Sequence, residues 1–367
     1  MIRRLSHLQQ SGALIVAPLV LLALIGCHGG ARNGVSTAFD QAAICPCQAG
    51  LRGDLNGSGT PDITDAVGIL RIIVGLAPAN ALADCDCDGA TGITDAIALL
   101  RCLVGFDPWP IVCGECVAGQ DCVGPDGQAL QWVSGGSFAM GSEDAYYEEQ
   151  PVHQVTLDGF WIGEREVTND LYAAFLNAAQ PADVASWVNI TLAGSGIELV
   201  GGVYRSKTER GQHPVAYVSW HGAVAYCDQY EYVLPTEARW EYAARGAESL
   251  VYPWGNVWDV SKCCNYNNQG PFGRTFVVGS FPAGVSWCGA LDMAGNVREW
   301  CADWLGVDYY RVSPDLNPPG PAAGTHRVLR GGAWDNMDNF CRASYRASES
   351  PGSTLYTDGF RVARNTD

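Results

Sequence analysis

Apolar and polar positions divide the chain into three stretches of different grain. Residues 13–25 form a continuous apolar run behind Arg3 and Arg4. It is too short and too early for a spanning helix, and it has the length of a secretion signal's hydrophobic region. Further on, apolar residues recur with helical spacing at Ala66, Ile69, Leu70 and Ile73, and again at Ala96, Leu99, Leu100 and Leu103. That periodicity predicts two amphipathic helices, with Thr64 and Thr94 placed where caps would serve. From about Gln131 the pattern breaks into short apolar runs between turn residues, which predicts a loop-rich mixture of strands and helices. The periodic segments there are 223–230 and 236–245, the second flanked by Pro235 and Gly246. The expected fold class is α+β, with a small all-α unit ahead of it.

The loops before the two predicted helices repeat at an offset of 30 residues. The first carries Asp54, Asn56 and Ser58 at positions 1, 3 and 5, Gly59 at 6, the Thr60 carbonyl at 7 and Asp65 at 12. The second repeats this with Asp84, Asp86, Asp88, Gly89, Ala90 and Asp95. Calcium takes six to eight oxygens, and alternate side chains plus one carbonyl can converge on it where a glycine allows the sharp turn. The doubled pattern resembles a type I dockerin. That resemblance implies calcium in both loops and a cohesin-like protein as partner, met near Thr64 with Asp65 and Thr94 with Asp95. A self-contained spacer is the alternative.

Charge and cysteine content set the compartment. The chain has 22 Lys+Arg against 39 Asp+Glu, a net charge of −17. That excess argues against a nucleic-acid partner, which needs a basic face. Fifteen cysteines point to an oxidising space. Leu24-Ile25-Gly26-Cys27 resembles a bacterial lipobox, which implies acylation of Cys27 and a lipoprotein anchored in a membrane, periplasmic or on the cell surface. The remaining cysteines then fall into two even groups, from Cys45 to Cys122 and from Cys227 to Cys341, as disulfide-bonded domains would have. The Cys113-x-x-Cys116 spacing reads by default as disulfide chemistry, with zinc or a redox pair as alternatives. The domain expectation is a signal at 1–27, a tether at 28–50, the calcium-loop repeat at 51–108, a Cys/Pro/Gly-rich linker at 109–129 and the main domain at 130–367.

The main domain carries an ordered series of motifs. Among them are Val133-x-Gly135-Gly136-x-Phe138-x-Met140-Gly141, Glu166-Val167-Thr168-Asn169, His213-Pro214-Val215 and Leu234-Pro235-Thr236-Glu237-Ala238. Trp240-Glu241-Tyr242, Gly295-Asn296-Val297-x-Glu299-Trp300, Arg330-Gly331-Gly332 and Asp358-Gly359-Phe360-Arg361 follow. The series resembles the formylglycine-generating-enzyme, or sulfatase-modifying-factor, family. The resemblance implies an irregular α+β fold related to C-type lectins, and oxidation of a sulfatase cysteine to formylglycine with copper(I) held by two thiolates. It also implies calcium at Asp292, Gly295, Val297 and Glu299, and a second calcium site mapped in part onto Asn265 and Tyr266.

The copper site is incomplete in this sequence. Counted without gaps from the Gly-Gly pair, Ala333 replaces a serine, Asn336 the first cysteine and Met337 a histidine, leaving Cys341 as the single catalytic candidate. Anchoring on Arg342 and Arg346 instead shifts the register and puts Cys341 opposite an aromatic position. An amide cannot replace a soft thiolate for copper(I), so the standard activity is not expected. The alternative is a lectin-like surface presenting Trp334, Asp335, Asn336, Asp338, Asn339 and Phe340 to a protein or glycan.

Overall fold

The computed structural model describes residues 63–73, 116–268 and 274–366. The proposed signal, with Cys27, and the tether lie outside the described residues, as do Asp54, Asn56, Ser58, Thr60, Asp84, Asp86, Asp88, Ala90 and Asp95. One of the two expected amphipathic helices is described: α1, Ile63–Ile73, which includes Asp65. Ala66 and Ile69 are buried and Val67 is exposed, as their spacing requires.

The domain that begins at Cys116 contains strands β1 (Cys122–Val123), β2 (Ala129–Val133), β3 (Gly136–Met140), β4 (His153–Leu157), β5 (Phe160–Gly163), β6 (Ile197–Val200), β7 (Val203–Ser206), β8 (Arg298–Trp304), β9 (Arg327–Arg330), β10 (Ala347–Glu349), β11 (Asp358–Gly359) and β12 (Ala363–Arg364). One sheet has the order β1-β2-β5-β12 and a second the order β10-β9-β8-β11, while β3-β4 and β6-β7 are hairpins. All four residues of β5 are buried, because strands flank it and core covers both faces. β12 pairs antiparallel with β5, so the end of the domain closes against its beginning.

Three helices complete it. α2 (Asn169–Ala179) is capped by Thr168, whose hydroxyl accepts from Leu171 N, and it buries Tyr172, Phe175 and Leu176. α3 (Trp220–Gln229) is capped in the same way by Ser219. α4 (Glu237–Arg245) is capped by Thr236 and ends at Gly246, where φ is 67°. The first core packs Tyr172, Phe175 and Tyr226 with Trp300 and Phe360. The second packs Phe138, Val155 and Phe160 with Trp240.

Two sequence expectations change. The residues from Cys116 to 129, read as the end of a linker, are part of the domain. Cys116 is disulfide-bonded to Cys122, which removes it from a Cys113-x-x-Cys116 metal site, and β1 pairs with β2. Asp126 there accepts hydrogen bonds from Tyr226 Oη at 2.5 Å and Tyr232 Oη at 2.6 Å. In addition, α2 is a helix that the sequence reading passed over, although Tyr172, Phe175, Leu176 and Ala179 stand at i, i+3, i+4 and i+7.

Candidate functional site

A frame of buried charges fixes the loop that follows β9. Glu241 accepts from Gly141 N at 2.8 Å and Arg245 Nη1 at 2.9 Å, and it pairs with Arg330. Burial alone would push its carboxyl up, but Arg330, Arg245 and the Gly141 N–H together hold it below the ordinary value. Arg346 grips both oxygens of Glu237 at 2.6 and 2.7 Å. Glu299 accepts from Trp240 Nε1 at 2.7 Å and from two Arg361 nitrogens at 2.5 and 2.7 Å. Breaking one partner of such buried pairs costs several kcal/mol, on the order of 3–5, so these contacts hold a rigid floor.

Gly331 and Gly332 turn the chain off that floor with φ of 92° and 73°. A Cβ on Gly332 would lie 2.6 Å from Phe340 O and 3.1 Å from Cys341 Sγ, so the loop closes on itself only with glycine there. Ala333 N donates to Asn336 Oδ1 at 3.1 Å, and Asn336 N donates back to Ala333 O at 2.9 Å. Tyr266 N donates to Asn336 O at 2.9 Å.

The loop sends the predicted ligand residues to two sides. Trp334 lies 5.6 Å from the Tyr356 ring, whose hydroxyl donates to Asp335 at 2.9 Å. Phe340 stacks instead on Tyr146 at 6.3 Å, and Asn339 Nδ2 donates to the Tyr146 hydroxyl at 3.0 Å. Asp338 begins the short 3-10 turn Asp338–Phe340. The six candidates therefore do not form one surface.

Trp334 and Tyr356 belong to the rim of a cavity of about 360 Å³. Asn169, at the start of α2, lines it with Arg210, His213, Tyr217, Arg274 and Thr275. His213 Nδ1 meets Thr275 Oγ1 at 3.0 Å. Burial, with Arg210 adding to it, pushes the imidazole down from its usual value. Asn169 spends its amide nitrogen on the carbonyls of Arg210, His213 and Pro214, leaving its buried Oδ1 without a partner. Tyr217 sits at φ 60°. Asn169, His213 and Pro214 come from motifs of the series, but Arg210, Tyr217, Arg274 and Thr275 lie outside those motifs, so the sequence alone does not assemble the cavity.

The predicted calcium residues fall partly together. Asp292 accepts from Gly279 N at 2.5 Å, and Glu166, which sequence reasoning missed as a site residue, accepts from Asn296 Nδ2 at 2.8 Å. Burial, with Asp292 and Glu299 adding to it, pushes Glu166 well above the carboxylate range. Asp292 is pushed up to about 6, again mainly by burial. Arg361 is paired with Glu299 and the half-exposed Arg165 acts on Asp292, so three buried carboxylates face one buried guanidinium. Oxygen donors of that kind suit a hard cation. Yet both oxygens of Glu299 are already bonded, and no group of three or more His, Cys, Asp or Glu converges on a point among the described residues. Asn265 is buried with Nδ2 unpartnered, its Oδ1 accepting from Asn267 N at 3.1 Å, while the Tyr266 side chain is exposed.

Residues 117–366 match the family of the sulfatase-modifying factor enzyme 1-like domain. The chain belongs to the sulfatase-modifying factor family. A relative in that family, the formylglycine-generating enzyme of Streptomyces coelicolor, is 36% identical over 285 residues, covering 64% of this chain and 88% of that protein. The serine/threonine-protein kinase Pkn1 of Chlamydia trachomatis is 37% identical over 239 residues, covering 64% of this chain. The chain spans only 38% of that protein's length. Among solved structures, PvdO from Pseudomonas aeruginosa matches with a TM-score of 0.56 at 26% identity, covering 68% of this chain and all of that one (100%). Treponema denticola variable protein 1 matches with a TM-score of 0.50 at 26% identity, covering 65% and 95%.

The two-thiolate copper site that the sulfatase-modifying factor resemblance implies does not fit these residues. Asn336 offers an amide, and its oxygen already accepts from Ala333 N. Cys341 is fully buried and its sulfur meets Cys263, beside Ala294, Trp254 and Trp258. Contact with Cys341, with burial adding to it, pushes the Cys263 thiol up. Two soft sulfurs do meet, but they are buried and are not the pair of the family pattern. The even-count expectation of full pairing is also corrected: Cys227, Cys263, Cys288, Cys301 and Cys341 stand outside any disulfide.

Proposed function

We propose that this member of the family is a ligand-binding protein without formylglycine-generating activity. The observation that carries the reading is the position of Asn336, bonded into its own loop where a metal thiolate is needed, with Cys341 turned inward away from the cavity rim. Relatives named formylglycine-generating enzyme make the activity the natural comparison, so the test is direct. The purified protein, loaded with copper, is incubated with a Cys-x-Pro-x-Arg peptide and the aldehyde is measured. No conversion is expected. Conversion at a rate comparable with an active relative, together with bound copper and a reactive Cys341, would sink the reading.

The N-terminal features extend it. Acylation at Cys27 would tether the domain to a membrane outside the cytoplasm, and the calcium-loop repeat would join it to a cohesin-like partner. These rest on the lipobox-like sequence and on the doubled ligand spacing, which the helical spacing after each loop accompanies. Mass spectrometry of the mature N-terminus and calcium titration of the intact protein test them. An unmodified Cys27, or no calcium uptake at the loops, removes the corresponding part. A third calcium near Asp292, Gly295, Val297 and Glu299 is supported by the excess of buried carboxylate over guanidinium there. Asp292→Asn should then lower calcium uptake by one ion, and an unchanged stoichiometry would remove that site.

A further inference from the structure

We propose that the cavity beneath Trp334 binds an acidic sugar, with Arg210 and Arg274 holding its carboxylate or sulfate. The inference deepens the binding reading above and rests on it.

Arg210 and Arg274 both line the cavity, and their charges are close enough to repel: burial, with Arg274 adding to it, pushes Arg210 down. Neither guanidinium takes part in an ion pair or side-chain hydrogen bond among the described residues, whereas Arg330, Arg342, Arg346 and Arg361 are each bonded to a carboxylate. In a chain with a net charge of −17, two arginines side by side with no acid paired to them among the described residues make an unusual positive concavity. A guanidinium presents a planar fork matched to carboxylate, sulfate and phosphate oxygens. A concave wall concentrates the field of both.

The rest of the wall selects the body that carries the anion. Trp334 and Tyr356 stand at the rim as ring faces, and the Tyr356 hydroxyl is tied to Asp335 at 2.9 Å, so Tyr356 is fixed before a ligand arrives. Aromatic faces with a few polar groups between them are the usual lining of small-ligand cavities. A sugar ring offers C–H faces for the aromatics, and its hydroxyls need both donors and acceptors. The His213 imidazole and the Thr275 hydroxyl, both in the wall, supply these. The volume of about 360 Å³ suits one or two sugar rings rather than a long chain. Acidic side chains on a peptide share the anion but lack the ring faces.

The test is calorimetric titration of the full chain with glucuronate and with N-acetylglucosamine 6-sulfate, against glucose, N-acetylglucosamine and a Glu-rich peptide. At least one acidic sugar should bind about tenfold or more tighter than its neutral parent, a preference that salt weakens. The double variant Arg210→Gln/Arg274→Gln should lose that preference while keeping the near-ultraviolet circular dichroism of the parent, since neither side chain bonds to the described fold. Trp334→Ala should weaken acidic and neutral sugars together. Equal binding of acidic and neutral sugars, preference unchanged in the double variant, or binding of the peptide alone each overturns the proposal. Aldehyde formation, assayed on the same sample, reports separately on the absence of catalysis. Which acidic sugar binds identifies carboxylate or sulfate as the source of the anion.

Discussion

Asp303, on β8, is fully buried and accepts a hydrogen bond from Glu237 N at 2.8 Å, completing the N-terminus of α4. Burial, with Glu237 adding to it, pushes its carboxyl up to about 7. The unfolded chain would titrate this group near about 3.9, so folding takes up a proton between those values. Its stabilising contribution is complete below about pH 4 and is lost as the pH rises towards about 7. Asp303→Asn keeps an acceptor for Glu237 N and removes the titration. In urea titrations the variant should therefore gain on the parent across that window, by a few kcal/mol at most. A constant difference between the two proteins would contradict this. Cys263 and Cys341 give a second prediction at this scale. Refolding from urea in the presence of a small disulfide such as oxidised glutathione should join them, releasing two equivalents of reduced thiol, because their sulfurs meet in the folded core. Peptide mapping without reductant should find that cross-link, with Cys227, Cys288 and Cys301 still alkylatable after unfolding. A cross-link from Cys341 to any other cysteine would contradict the packing.

Among the elements, α4 and α2 differ in how far the sequence announces them. α4 has a proline before it, a threonine cap, alternating buried alanines and tryptophan, and a glycine stop, and its observed span agrees with the expected one to within a residue. α2 has the same cap chemistry at Thr168 and buries Tyr172, Phe175 and Leu176 at helical spacing, but no proline precedes it and Gln180, at φ 43°, stands where α4 has its glycine stop. What the sequence lacks there is the stop signal, not the periodicity. Thr168→Ala should cost about 1 kcal/mol, read as a lowered denaturation midpoint, and Thr168→Ser should restore most of it. The candidate site divides the same way. The motifs locate the Gly331-Gly332 loop and the Trp334 side of it, because glycine and arginine pairs there are forced by close packing. Arg210 and Arg274 carry no local signal, since what joins them is the curvature of a wall built from separate segments.

On the scale of the whole molecule, the domain is larger at its N-terminal side than composition suggests. Asp126 is the acceptor for two tyrosine hydroxyls, and Gly124 lies so near Tyr232 that a Cβ would reach 1.7 Å from its hydroxyl. A fragment starting at Cys116 should keep the thermal midpoint of the domain in the full chain. One starting at residue 130 should lose several kcal/mol, because those hydroxyls would be left buried without an acceptor at roughly 1–3 kcal/mol each. Equal midpoints for the two fragments would show that Asp126 contributes nothing. The opposite edge has a different consequence. β12 is the last strand and pairs with β5, and Arg361 just before it neutralises Glu299 in the core. During synthesis β5 therefore lacks its last neighbour, and the buried Glu299 its guanidinium, until residues 361–364 have left the ribosome. Closure between such distant segments is slow, so this last pairing comes late in the folding of the domain.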